Sequence, residues 1–155
     1  MTKSLWPDEI SVIKEVPPVS IFKEQASFLG GKTKNLVTAE VDTDANYGTR
    51  RFYDVFYLVA PALDHYRFEL FRASRDIVNF YPIQISSGTL EMDNKEVTSE
   101  DELIKVLSDI FSHPKTIKII QSMLVQSGWS PEEDSSKNGG IRENESPLRE
   151  DEIPF

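Results

Sequence analysis

The run from Arg51 to Ala60 constrains the fold most strongly. Its sequence, RFYDVFYLVA, is apolar or aromatic at nearly every position. A strand with one wet face alternates apolar and polar side chains, and a strand covered on both faces does not. This run therefore predicts a central strand with cover on both sides.

Three more runs have strand character. Asn35 to Thr43 alternates Val37, Ala39 and Val41 against Thr38 and Glu40. His65 to about Ala73 places Tyr66, Phe68 and Leu70 on one face and Arg67 and Glu69 on the other. Ile77 to Ser86 alternates through Tyr81, Ile83 and Ile85. Residues 88–97 leave room for a short fifth strand over Thr89 to Met92. The connections are short, which fits an antiparallel meander and not parallel crossovers.

Helical spacing brackets these runs. Pro17-Pro18 suits a helix start, with Val19, Phe22, Ala26 and Leu29 on one face and Gly30-Gly31 as the stop. Ser99 and Glu102 have capping-box spacing ahead of Leu103, Val106, Leu107, Ile110 and Phe111. His113-Pro114 interrupts that pattern. It resumes from Thr116 to Ser127 through Ile117, Ile120, Met123 and Leu124, closed by Gly128. The expected architecture is α+β over residues 17–129: an N-terminal helix, an antiparallel four- to five-stranded meander sheet, and two C-terminal helices on one face. Residues 1–16 read as a loosely attached leader carrying Leu5, Trp6, Ile10, Val12 and Ile13.

Composition narrows the chemistry. Among 155 residues there is no cysteine, which excludes disulfides, thiolate nucleophiles and Cys-ligated zinc. No apolar run approaches the roughly 18 residues that span a bilayer. The first residues lack the apolar stretch of a signal peptide, so a cytoplasmic protein without membrane contact is expected. The net charge of −9 is unevenly placed. From Ser130 onward there are eight acids and three bases, or −5, against 18 acids and 14 bases, or −4, before it. Residues 130–152 have no aromatic side chain, and Ile141 and Leu148 are their only large apolar ones. Such a segment cannot bury enough surface to offset its ordering entropy, so residues 130–149 are expected to form a disordered acidic linker.

Few motifs carry chemistry. Ala26 to Thr33, ASFLGGKT, matches a relaxed phosphate-loop pattern. That loop needs a strand before it and a helix after it, and the predicted order here is the reverse. A Gly-Gly helix stop with a polar turn explains it better. Asp42 to Gly48 alternates oxygen side chains as a calcium loop does, but Tyr47 and Tyr53 stand where glycine and a bidentate acid are required. A hairpin rich in turn formers fits better. The two histidines, His65 and His113, have no metal-ligand spacing. No catalytic residue, cofactor or metal is expected, and the chain reads as non-enzymatic.

The stretch 47–81 holds ten of sixteen aromatics together with Arg50, Arg51, Arg67, Arg72 and Arg75. Arginine among aromatics can bind single-stranded nucleic acid through stacking and phosphate contacts. Core packing of a small sheet accounts for the same residues, and Asp54, Asp64, Glu69 and Asp76 nearly cancel their charge.

The last six residues are Glu150-Asp151-Glu152-Ile153-Pro154-Phe155. They resemble the acidic tip of bacterial single-stranded DNA-binding proteins, an acidic run followed by Ile-Pro-Phe or Leu-Pro-Phe. In that family the tip docks DNA-repair and replication enzymes such as exonucleases, helicases and recombination mediators. The resemblance implies a partner with a basic apolar pocket. Phe155 would offer a ring and a terminal carboxylate, Pro154 would limit the entropy lost on binding, and Glu150, Asp151 and Glu152 would meet a basic rim. A leash of this length reaches about 25–30 Å on average if disordered. The likeness stops at the tail. The family carries an all-β OB fold, while this body begins with a helix and ends with two. The docking role carries over, and the DNA-binding role does not.

The expected function is a non-enzymatic interaction protein whose tail docks to DNA-repair or replication proteins. The alternatives are an immunity or inhibitor protein masking a basic partner, and a divergent single-stranded DNA-binding protein using the aromatic-arginine sheet.

Overall fold

The computed structural model describes residues 2–11 and 13–129 of the chain. Helix α1 (Pro18–Lys32) leads into strands β1 (Thr38–Asn46), β2 (Arg51–Ala60), β3 (Tyr66–Asp76), β4 (Ile83–Ser87) and β5 (Met92–Val97). Helices α2 (Glu100–Ser112) and α3 (Pro114–Gln126) follow. The strands form one antiparallel sheet in the order β1-β2-β3-β4-β5. This is the α+β meander that the alternation and the short connections predict.

Each helix buries one stripe against the same side of the sheet. Phe22 of α1 meets Phe71 edge-on at 5.4 Å between ring centres, Phe56 stacks on Phe71 at 5.0 Å, and Phe111 of α2 lies 5.4 Å from Phe56. Ile21, Leu103, Leu107, Ile110 and Met123 complete the cluster with Leu58, Ala60, Ile83, Ile85 and Val97. Burial of this order, at roughly 25 cal/mol per Å² of apolar surface, is the main force holding the helices to the sheet.

The predicted cover on both faces of β2 is observed, but the two faces are covered by different means. Phe56, Leu58 and Ala60 face the helices. Val55 and Val59 point the other way and pair across strands with Arg72 and Arg67. They are buried all the same, at 4% and 0% exposure. On that face the cover is a layer of long polar and aromatic side chains, whose stems shield apolar surface while their heads stay in water.

Element ends differ from the sequence expectation in explicable ways. Helix α1 runs through Gly30-Gly31 to Lys32, and the left-handed turn falls on Lys34 and Asn35. At Gly30 a Cβ would come within 2.7 Å of the Asn35 side-chain oxygen, so a larger residue there would require the Asn35 side chain to move. Strand β1 starts at Thr38, not Asn35, because Lys34 and Asn35 are held in the left-handed turn. In β3 the register slips between Phe56 and Tyr57 of its partner, so Leu70 and Phe71 are both buried and simple alternation fails there. Strand β4 begins at Ile83 and not at Ile77. Asp76 accepts hydrogen bonds from the Val78 and Asn79 amides, which turns the chain away, and Pro82 cannot donate to a ladder. The fifth strand is Met92–Val97, later than the predicted Thr89 to Met92.

The capping box ahead of α2 is present in a stretched form. Ser99 Oγ accepts from the Glu102 amide at 3.2 Å, while Glu102 Oε1 reaches back to the Thr98 amide at 2.8 Å. That backbone bond, with one from the Thr98 hydroxyl, holds the Glu102 carboxyl below its ordinary pKa. Helix α3 starts at Pro114, two residues before the expected Thr116, because His113 Nδ1 accepts from the Lys115 amide and acts as its cap. The leader forms no helix or strand among its described residues, and Leu5, Trp6, Ile10 and Ile13 are exposed. No helix among the described residues is long and apolar enough to cross a membrane.

Candidate functional site

The sheet face away from the helices gathers much of the arginine-aromatic stretch. Arg51, Arg67 and Arg72 project there with Tyr53 and Tyr57, because odd positions of β2 pair with these positions of β3. Strand β1 adds Glu40, Asp42 and Asp44 in the same register. The result is a ladder of opposite charges. Arg67 bonds Asp42 at 2.6 Å, approaches Glu40 at 3.3 Å, and lies over the Tyr57 ring at 3.9 Å. Arg72 makes a forked contact with Glu69 at 2.8 and 3.0 Å. Arg51 donates to the Ser74 hydroxyl. His65 Nε2 sits 3.2 Å from Glu40. Hydrogen bonding to Arg72 holds the Glu69 carboxyl below its ordinary pKa, and bonding to Asp42 raises that of Arg67.

Arg75 is separated from this set. It lies on the helix side, where Nε donates to Asp54 Oδ2 at 2.6 Å and a second nitrogen to Oδ1 at 3.2 Å. Thr43 Oγ1 also donates to Asp54, at 2.6 Å. Asp54 is 1% exposed, and its lone acid position inside an apolar run is thereby satisfied. Arg75 also covers the Phe52 ring at 4.9 Å. Sequence reasoning grouped Arg75 with the other arginines. The one available signal was an acid in the middle of RFYDVFYLVA, which demands a buried partner.

Arg50 stands apart again, in the β1–β2 turn at φ 59°. It makes no hydrogen bond or ion pair with any described residue. Beside it Ala45, Asn46, Tyr47, Arg51, Phe52 and Ile77 line a cleft of about 200 Å³. This cleft was not legible in the sequence, because it joins the β1–β2 turn to the loop after β3.

The remaining motifs resolve into structure. Thr33, which ends the ASFLGGKT run, is buried, and its hydroxyl donates to the Val37 and Leu29 carbonyls and accepts from the Val37 amide. It is committed to joining α1 to β1. The Asp42 to Gly48 run is the end of β1 and its turn, with Asn46 Oδ1 accepting from the Gly48 and Thr49 amides. Among the described residues no cluster of His, Asp and Glu could hold a metal ion. His65 lies at the β2–β3 connection and His113 between α2 and α3. Glu150, Asp151, Glu152, Ile153, Pro154 and Phe155 lie outside the described residues, as do residues 130–149.

Compared with protein-family models, curated proteins and solved structures, the chain matches none.

Proposed function

We propose that this chain is a non-enzymatic interaction protein whose Glu150–Phe155 segment docks to DNA-repair or replication proteins. The observation that carries this reading is the sequence EDEIPF itself, an acidic run ending in three apolar residues, which closes a 26-residue segment (130–155) of net charge −5. Acids give encounter speed against a basic rim, and Ile153, Pro154 and Phe155 give a compact apolar anchor. The arrangement of the body agrees with it. Arg67, Arg72 and Arg75 are matched by Glu40, Asp42, Glu69 and Asp54, so most of the arginine-aromatic stretch spends its charge inside the sheet. A strand-tracking nucleic-acid groove needs cations that remain available.

The test is affinity capture from a bacterial lysate with the full chain and with a chain lacking residues 150–155. Repair and replication proteins should be retained by the first and lost from the second. Equal retention by both would place the binding surface on the body, as an inhibitor would have it. Retention of no such protein by the full chain would overturn the reading.

A further inference from the structure

We infer that the cleft at the β1–β2 turn is an internal receptor for this chain's own Glu150–Phe155 segment. The inference shares with the proposed function the reading of that segment as a docking ligand. The cleft has the two properties such a ligand needs. Its lining is mainly apolar, with Ala45 and Phe52 joined by Tyr47, 89% exposed, and Ile77, 61% exposed. Val78, next to it, is 78% exposed. Three large apolar side chains left in water at one end of a small sheet form a patch that favours a partner.

Charge sets the sign of that partner. Arg50 has no acidic or hydrogen-bonding partner among the described residues. Arg51, beside it, has only the Ser74 hydroxyl as a hydrogen-bond acceptor and faces Asp76 at longer range. The Asp76 carboxylate is itself taken up by the Val78 and Asn79 amides, which lower its pKa. The ionised Asp76 offsets Arg51, so the unspent positive charge at the rim is that of Arg50, beside a mainly apolar lining. An acidic segment ending in apolar side chains is its complement. The size agrees: about 200 Å³ lies below the roughly 300 Å³ of sites for drug-sized ligands and suits one or two side chains.

The segment can reach. Trp129, the last described residue, lies beside Lys34, whose ammonium is 4.9 Å from the ring centre. Lys34 precedes β1, and the cleft lies past the other end of that nine-residue strand. The span is about 30 Å at roughly 3.4 Å per residue. From Trp129 to Glu150 there are 21 residue steps, which extend to about 70 Å at roughly 3.3 Å each. The tether thus exceeds the span, and linkage raises the effective concentration of the segment at the cleft.

The experiment is amide NMR on the full chain and on a chain lacking residues 150–155. Deletion should shift the amides of residues 46–52 and 77–78 and leave the rest of the sheet in place. Arg50→Gln in the full chain should remove most of that difference, and the exposed turn position keeps the variant folded. The shifts should not change on dilution. Shifts elsewhere, or none, would overturn the inference. So would concentration-dependent shifts, which would seat the segment in a second copy. An oligothymidylate that moves the cleft amides of the deleted chain, where deletion itself moved nothing, would also overturn it, in favour of a nucleic-acid surface. Cleft shifts without any captured repair protein would defeat the proposed function alone. Captured protein without cleft shifts would defeat this inference alone.

Discussion

Strand β2 is buried on both faces, but by different means. Toward the helices, Phe56 and Leu58 lie in an apolar cluster with Phe22, Phe71 and Phe111. On the other face, Val55 and Val59 reach the same burial beside Arg72 and Arg67, whose heads pair with Glu69, Glu40 and Asp42. The first face is closed by shape and dispersion. The second is closed by side chains that remain half in water. A continuous apolar run therefore signals burial without signalling a second layer of secondary structure.

The contrast can be broken by substitution, starting with the largest effect. Phe71→Ala removes a fully buried ring that touches three others, and should cost about 3–5 kcal/mol in urea unfolding. Asp54→Ala leaves the Arg75 guanidinium without its buried counter-ion and should cost about 3 kcal/mol, on the same helix side of the sheet. Ser99→Ala removes the cap of α2 and should cost about 1 kcal/mol. Arg72→Gln, on the open face, should cost less than about 1 kcal/mol because the pair is exposed and screened. A loss from Arg72→Gln as large as that from Phe71→Ala would erase the distinction between the faces.

Acid titration sharpens the same point. The Glu69 carboxyl has a folded pKa held below its ordinary 4.5 by its bond to Arg72. Its contribution is therefore present above pH 4.5 and is lost as pH falls through the lowered folded value. The stability difference between the wild type and Arg72→Gln should shrink over that acid range, and should also shrink with added salt. A difference that grows on acidification would contradict the assignment.

Much of the architecture was legible because local signals agreed with one another. Alternation in Val37, Ala39 and Val41, the Ser99–Glu102 spacing and the His113-Pro114 break each correspond to an observed element or boundary. What escaped depended on pairs distant in the chain. Nothing near Leu70 announces the bulge that buries it together with Phe71. Asp76 reads as one more strand residue until its carboxylate is seen on the Val78 and Asn79 amides. The split of the five arginines among the open face, a buried pair and a free turn position follows from strand register, which one sequence leaves open. The cleft of Tyr47, Arg50, Phe52 and Ile77 is likewise a product of register, since its two loops meet only when β2 and β3 pair. The proposed docking role of Glu150–Phe155 rests on the opposite kind of signal. Its chemistry is carried by six consecutive residues and needs no fold to assemble it.

The most direct measurement of the central claim is a calorimetric titration of a purified bacterial exonuclease that binds acidic Ile-Pro-Phe tips. The titrants are the full chain and the chain lacking Phe155. Saturable binding by the full chain and at least a tenfold weaker affinity after deletion are expected, since truncating a buried aromatic anchor typically costs about 2 kcal/mol or more. Equal affinity for the two chains, or no binding by the full chain, would contradict the account.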